Sequence, residues 1–90
     1  MVDPIQGIFA ISVAADLSGT TVQNLRAYER SGLVEPERTA GGTRRYSQAD
    51  VDRLLHIRSL IDAGLNLVGI GHVLRLEARV STLEDQLKRR

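Results

Sequence analysis

The sequence has no cysteine and no tryptophan, and only one phenylalanine and two tyrosines among its 90 residues. The lack of cysteine excludes a disulfide framework and any thiolate-held metal. The scarcity of aromatics means that the core must be built from Leu, Ile, Val and Ala. In one small domain, a core that thin often gains support from a second subunit. No stretch approaches the roughly 18 consecutive apolar residues of a spanning helix. The start MVDPIQG has neither the charged lead nor the apolar run of a secretion signal. A soluble, cytoplasmic protein with no membrane partner is expected. His56 and His72 are the only histidines and have no spaced carboxylate set around them, so neither a metal nor another cofactor is expected. There is no nucleophile elbow, and Gly41-Gly42 is too short for a phosphate-cradling loop, so no enzyme is expected.

Charge of one sign is also nearly absent in the sum. Twelve basic residues face eleven acidic ones, for a net charge of +1, so distribution matters more than total. Eleven of the twelve basic residues are arginine and one, Lys88, is lysine. The ratio alone is equally what GC-rich coding produces. The positions say more, because Arg26, Arg30, Arg38, Arg44 and Arg45 all fall within one 20-residue stretch. Arginine forks bind phosphate oxygens and guanine edges bidentately.

Along the chain, residues 1–8 read as a loose lead-in. Phe9 to Ile11 is apolar and long enough for one small strand. Ser12 is a suitable N-cap for a first helix, with Val13, Ala14 and Leu17 as its apolar stripe. Gly19 stops it after roughly two turns. Thr20 or Thr21 caps a second helix whose apolar positions are Val22, Leu25 and Tyr28, and Gly32 ends it. Two short helices joined by a turn of about three residues form a helix-turn-helix pattern over residues 12–31. Leu33-Val34 is a short strand-like piece. Arg45-Tyr46 can pair back to it or to the segment near Arg38, with Ala40-Gly41-Gly42-Thr43 as the turn, which gives a hairpin or wing over 38–46. Ser47 and Asp50 resemble a capping box opening a third helix, buried through Val51, Leu54, Leu55 and Ile61 and stopped at Gly64. Asn66 caps a last helix. There Val73, Leu76, Val80, Leu83 and Leu87 recur at intervals of 3, 4, 3 and 4, an a/d seam of a little over two heptads. A seam so narrow packs on a second copy or folds back on its own domain, and the first is favoured. The expected class is all-α with a small β wing: a winged helix-turn-helix plus a C-terminal coiled-coil helix over 73–90.

The candidate contacts follow from this layout. Thr21, Gln23, Asn24 and Arg26 lie near the start of the second helix, where side chains of a helix-turn-helix meet base edges. Gln and Asn can hold adenine, Arg can hold guanine, and Thr can touch either a base edge or a thymine methyl. An ordinary polar helix face is the bland alternative. Arg26, a turn further on, can instead reach phosphate. Tyr28 either packs wholly in the core or packs its ring there and turns its hydroxyl to a phosphate. In the wing the candidates are Thr43, Arg44 and Arg45. Alternation along a strand sends neighbours to opposite faces. Arg44, which shares a face with Tyr46, is therefore favoured as the contact, and Arg45 as a brace against Glu35, Glu37 or Asp50. A solvated basic turn is the alternative.

These marks together resemble the MerR-type winged helix-turn-helix regulators. The resemblance rests on Leu25-Arg26-x-Tyr28-Glu29, Gly32-Leu33-Val34-x-Pro36, Arg38, Gly42-x-Arg44-x-Tyr46-Ser47, Asp50-Val51 with Leu54, and Gly64-Leu65-Asn66-Leu67 before Ile70. It covers Ile11 to Glu77, within an expected DNA-binding domain of residues 9–77. Within the family, Ile11 to Ala15, Arg38 to Gly42 and Arg44 to Ser47 look most like the heat-shock repressor branch, HspR. The resemblance implies a homodimer joined by an antiparallel coiled coil through Val73, Leu76, Val80, Leu83 and Leu87. It also implies double-stranded DNA as partner, with one recognition helix per half-site of an inverted repeat and the wings on the flanking backbone. Many members carry an aromatic where this chain has Ala27 and another where it has Thr43, so the family's base specificity does not transfer. No effector domain follows the coiled coil, so no small-molecule effector is expected.

The expected function is a sequence-specific DNA-binding transcription regulator, a repressor of stress or heat-shock genes acting as a homodimer. The alternatives are a promoter-distorting activator, a coiled-coil adaptor using the helix-turn-helix as scaffold, and an architectural DNA-bending factor. The Gly-Gly-Thr-Arg-Arg wing speaks against the adaptor, because a scaffold has no need of it.

Overall fold

A computed structural model describes residues 3–89. The first two residues of the expected lead-in and the last residue of the expected coiled-coil helix lie outside that range. The described residues form, in chain order, α1 Ile11–Ser18, α2 Val22–Arg30, β1 Glu37–Arg38, β2 Arg44–Arg45, α3 Gln48–Asp62 and α4 Leu67–Lys88. None of these helices is long and apolar enough to cross a membrane. The all-α class with a small β wing is what the structure has.

Three of the four helix starts are capped as the side chains dictate. Thr21 Oγ1 accepts from Asn24 N at 3.0 Å. Asn66 Oδ1 accepts from Gly69 N at 2.8 Å. Ser47 and Asp50 form a reciprocal capping box, each side chain accepting at 2.9 Å from the other's backbone amide. The first helix departs from expectation. Its N-cap is Ala10, with no side-chain cap, and Ser12 lies inside the first turn. The cause is tertiary: Phe9 bridges Tyr46, which holds the chain extended through Ala10 and lets the helix start at once. Gly19 ends α1 at φ 70°, a left-handed conformation that a β-carbon disfavours.

The core is aliphatic apart from two tyrosine rings. Leu25, Leu54, Ile57, Ile70 and Tyr46 are essentially inaccessible, with Ala14, Ala15, Leu33, Val34 and Val51 around them. Two expected stripes hold in part: Ala14 on α1 and Val51, Leu54 and Ile61 on α3 face the core as expected. On α1, Val13 and Leu17 are exposed, and the inward face is Ala14, Ala15 and Ser18. These small residues let α1 lie close on α3. On α3, Ile57 is buried and Leu55 is exposed, because the buried line runs 51, 54, 57 and residue 55 sits about 100° off it.

Leu33-Val34 is buried but unpaired as a strand. Its side chains plug the core, and the Leu33 carbonyl accepts from Arg53 Nε on α3 at 2.5 Å. The hairpin forms with the segment at Arg38 instead, in the register Glu37↔Arg45 and Arg38↔Arg44. Gly42, at φ 84°, makes its turn. The lead-in is tied down from Pro4 onward. Ile8 N and Phe9 N donate to Tyr46 O at 3.0 and 2.8 Å, Tyr46 N donates to Phe9 O at 2.7 Å, and Ala49 N donates to Pro4 O at 2.9 Å.

The last helix has two apolar faces. Ile70, Gly71 and Leu74 are buried against the rest of the domain. Leu76, Val80, Leu83 and Leu87 are 51–66% exposed. At 100° per residue the two sets are centred about 160° apart. The second face therefore cannot turn onto the same domain without unpacking the first, which removes the fold-back alternative for this seam.

Candidate nucleic-acid interface

Helices α1 and α2 with the Gly19–Thr21 turn form the helix-turn-helix, and α3 braces it from behind. Arg58 of α3 donates to the Gly19 carbonyl at the end of α1. This fixes the turn from which α2 departs. Leu25 and Tyr28 anchor the inner side of α2, at 0% and 5% exposure. Their burial leaves Gln23, Asn24 and Arg26 on the exposed side.

Each expected contact has a definite place. Thr21 is exposed, with its hydroxyl engaged as the cap. Asn24 donates from Nδ2 to Thr20 Oγ1 at 2.9 Å, which pre-orients its amide. Gln23 and Arg26 are exposed, and Arg30 lies on the same stripe one turn beyond Arg26. Arg30 is absent from the candidate set above, although helical spacing from Gln23 and Arg26 identifies it. The Tyr28 ring is in the core. The seam residues Leu76, Val80, Leu83 and Leu87 are exposed, whereas Val73, at the edge of the domain, is half-buried.

The wing corrects the strand argument. Arg44 shares a face with Tyr46, and Tyr46 is fully buried, so that face points into the protein. Arg44 Nε makes a short ion pair with Glu29 Oε1, near the end of α2. The brace expected of Arg45 is thus held by Arg44. Arg45 is half-buried opposite Glu37, and Thr43 is exposed at the turn. Arg38 joins the same carboxylate, Nη2 to Glu29 Oε2 at 2.9 Å, and donates from Nη1 to Gly42 O at 2.9 Å. One carboxylate therefore links α2 to both strands of the wing.

The electrostatics match this geometry. The Arg44 hydrogen bond holds the Glu29 carboxyl below its ordinary value, against the opposing effect of burial and with further help from Arg38. Arg44 is raised in turn, chiefly by Glu29. Burial pushes the Tyr46 hydroxyl up, and the charges of Glu29 and Arg44 act on it in opposite directions. The Tyr46 hydroxyl is buried with no hydrogen-bond partner among the described residues. The pairing of Glu29 with residues 9 and 15 positions away follows no helical or strand period, so no pattern in the sequence exposes it. Among the described residues no group of three or more His, Asp or Glu side chains is placed to hold a metal ion.

Residues 9–77 match the family model described as "MerR HTH family regulatory protein". The chain is 49% identical over 78 residues to a putative heat shock protein HspR of Streptomyces coelicolor; the match takes in 86% of this chain and 52% of that one. The chain thus spans about half the length of that relative. Among solved structures, it resembles the transcription regulator PbrR691 from Ralstonia metallidurans CH34 in complex with lead(II), with a TM-score of 0.74 and 31% identity over 88% of this chain and 68% of that one. It also resembles HiNmlR, a MerR family regulator lacking the sensor domain and bound to promoter DNA, with a TM-score of 0.70 and 27% identity over 89% and 71% of the two chains.

Proposed function

The chain belongs to the MerR family of helix-turn-helix regulators, and from that premise we propose that it is a sequence-specific DNA-binding transcription regulator acting as a homodimer. The observation that carries this reading is the polar stripe Gln23, Asn24, Arg26 and Arg30, presented by an anchored helix beside a wing locked to the same helix. In this reading Thr21, Gln23, Asn24 and Arg26 meet base edges or the adjoining backbone. Tyr28 supports the helix from the core side. Thr43, Arg44 and Arg45 serve the flanking phosphates. The domain of residues 9–77 carries DNA binding, and 73–90 carries dimerisation.

Dimerisation follows from the exposed seam. Leu76, Val80, Leu83 and Leu87 need a cover, and a second copy in antiparallel orientation supplies a matching a/d face. Two-fold symmetry in the protein then calls for an inverted repeat in the DNA. Repression of stress-type genes is the preferred outcome, on two grounds. Occupancy of an operator suffices for it, and the chain resembles a protein named for heat shock. The site of action is the cytoplasm, on the nucleoid.

Selection of bound fragments from a genomic DNA library tests the reading. Recovery of an inverted repeat with a fixed half-site spacing is the expected result. Recovery of no sequence preference would leave only an architectural role. On the recovered operator, Arg44→Ala should weaken binding without changing which bases are preferred, and parent-like binding by that variant would remove the wing from the interface.

A further inference from the structure

In the free protein two guanidinium groups of the wing are occupied by one carboxylate of α2. Arg44 is paired with Glu29 Oε1 and Arg38 with Oε2, and Glu29 itself is only about one-fifth exposed. A phosphate oxygen and a carboxylate oxygen present the same kind of acceptor to an arginine fork. A phosphate oxygen therefore competes with Glu29 for the donors that the carboxylate now holds, Arg44 Nε and Arg38 Nη2. Giving up Arg44 would leave Glu29, a partly buried anion, with Arg38 as its one cationic partner, and that is costly.

We propose that Glu29 is an internal competitor for DNA phosphate. It holds Arg44 and Arg38 in the free protein and yields Arg44 to the backbone when the wing docks. This rests on the DNA-binding reading above and deepens it by naming a residue that sets specificity without touching a base. Loose, non-specific encounters do not repay the exchange. A correctly registered complex, with base contacts on α2 and the wing pressed home, does. Glu29 thus lowers binding to random DNA more than binding to the operator. It acts through the two arginines and is a positioning residue.

The test compares the parent with Glu29→Gln on two probes: a mixed-sequence duplex and a fragment that the parent selects from a randomised pool. Glutamine keeps the shape and removes one negative charge. Affinity for the mixed-sequence duplex should rise about fivefold at about 150 mM salt, and the plot of log affinity against log salt should steepen by about 0.9, the effect of one more neutralised phosphate. The ratio of selected to mixed-sequence affinity should fall. Adding Arg44→Gln to Glu29→Gln should return the salt slope to the parent value.

If Glu29→Gln, folded by circular dichroism, binds both probes with the parent's slope, or more weakly with an unchanged slope, Glu29 is only a brace and the proposal fails while DNA binding stands. If Glu29→Gln does not fold, Glu29→Asp carries the same comparison, with a shorter reach to Arg44 and the same direction of change. A parent that binds neither probe would remove the DNA-binding reading and the proposal together.

Discussion

The two ends of α4 obey different rules. Through Leu74 the helix is part of a closed core, and Ile70 has no accessible surface. From Leu76 onward its apolar side chains are more than half exposed, although the sequence is as regular there as anywhere in the chain. The first part is stabilised by its own domain. The second makes structural sense only against another surface, because a single helix with a narrow apolar seam is marginal in water. The lesson is that periodicity reports which residues share a face, and not which surface covers that face.

The contrast can be broken in several ways. The largest effect is expected from Leu83→Asp. An antiparallel pair would bury two carboxylates in its seam, at a cost on the order of 4 kcal/mol or roughly a thousandfold in dimer affinity. Light scattering should report monomers with an intact far-ultraviolet spectrum. A dimer that survives this change would show that the seam is not the interface. Next comes Leu54→Ala in the closed core, which should lower unfolding free energy by about 2–5 kcal/mol in chemical denaturation. A loss under about 1 kcal/mol would mean the head is held by the partner more than by its own packing.

Gln23→Ala and Asn24→Ala should each change which base is preferred at one operator position by about 1–3 kcal/mol, with little change in stability. A uniform loss on all sequences would place those side chains on phosphate. Removing the α3 capping box with Asp50→Ala should cost about 1 kcal/mol of stability, read by thermal unfolding.

The smallest effect is a pH dependence. Glu29 is held below its ordinary value of 4.5, so the stabilisation from its ion pairs is complete above that value. It is lost as pH falls through the depressed value. The difference in melting temperature between the parent and Glu29→Gln should therefore shrink in acid. A difference that grows in acid would reverse the assignment.

Local chemistry was the most legible part. Gly19 as the stop of α1, Thr21, Ser47 and Asn66 as caps, and the glycine turn of the wing each follow from a side chain acting within four residues of itself. The winged helix-turn-helix class followed from the order of those signals. Faces were harder. On α1, Ala14 faces the core as its stripe implies but Val13 and Leu17 do not, because Ala15 and Ser18 are small enough to let a neighbour approach and small residues carry little apolar signal. The start of α1 was missed because Phe9 is fixed by Tyr46, 37 positions away. In the wing the bracing ion pair falls one residue earlier than expected, on Arg44. The alternation was right, but the direction of its inner face depends on the burial of Tyr46, which the strand alone does not reveal.

What the sequence alone determined is the inventory: an aliphatic core, four capped or glycine-stopped helices, a basic wing, a polar stripe beginning at Gln23, and a heptad seam. Those properties depend on side-chain type and on separations of a few residues. Only the tertiary structure decided that Arg44 and Arg38 share one carboxylate on α2, that Arg44 takes a bracing role, that the Tyr46 hydroxyl has no partner among the described residues, and that the seam turns away from its own domain. Each of these depends on groups brought together from 9 to 37 positions apart or on the rotation of a helix about its axis. Packing of the whole domain fixes both.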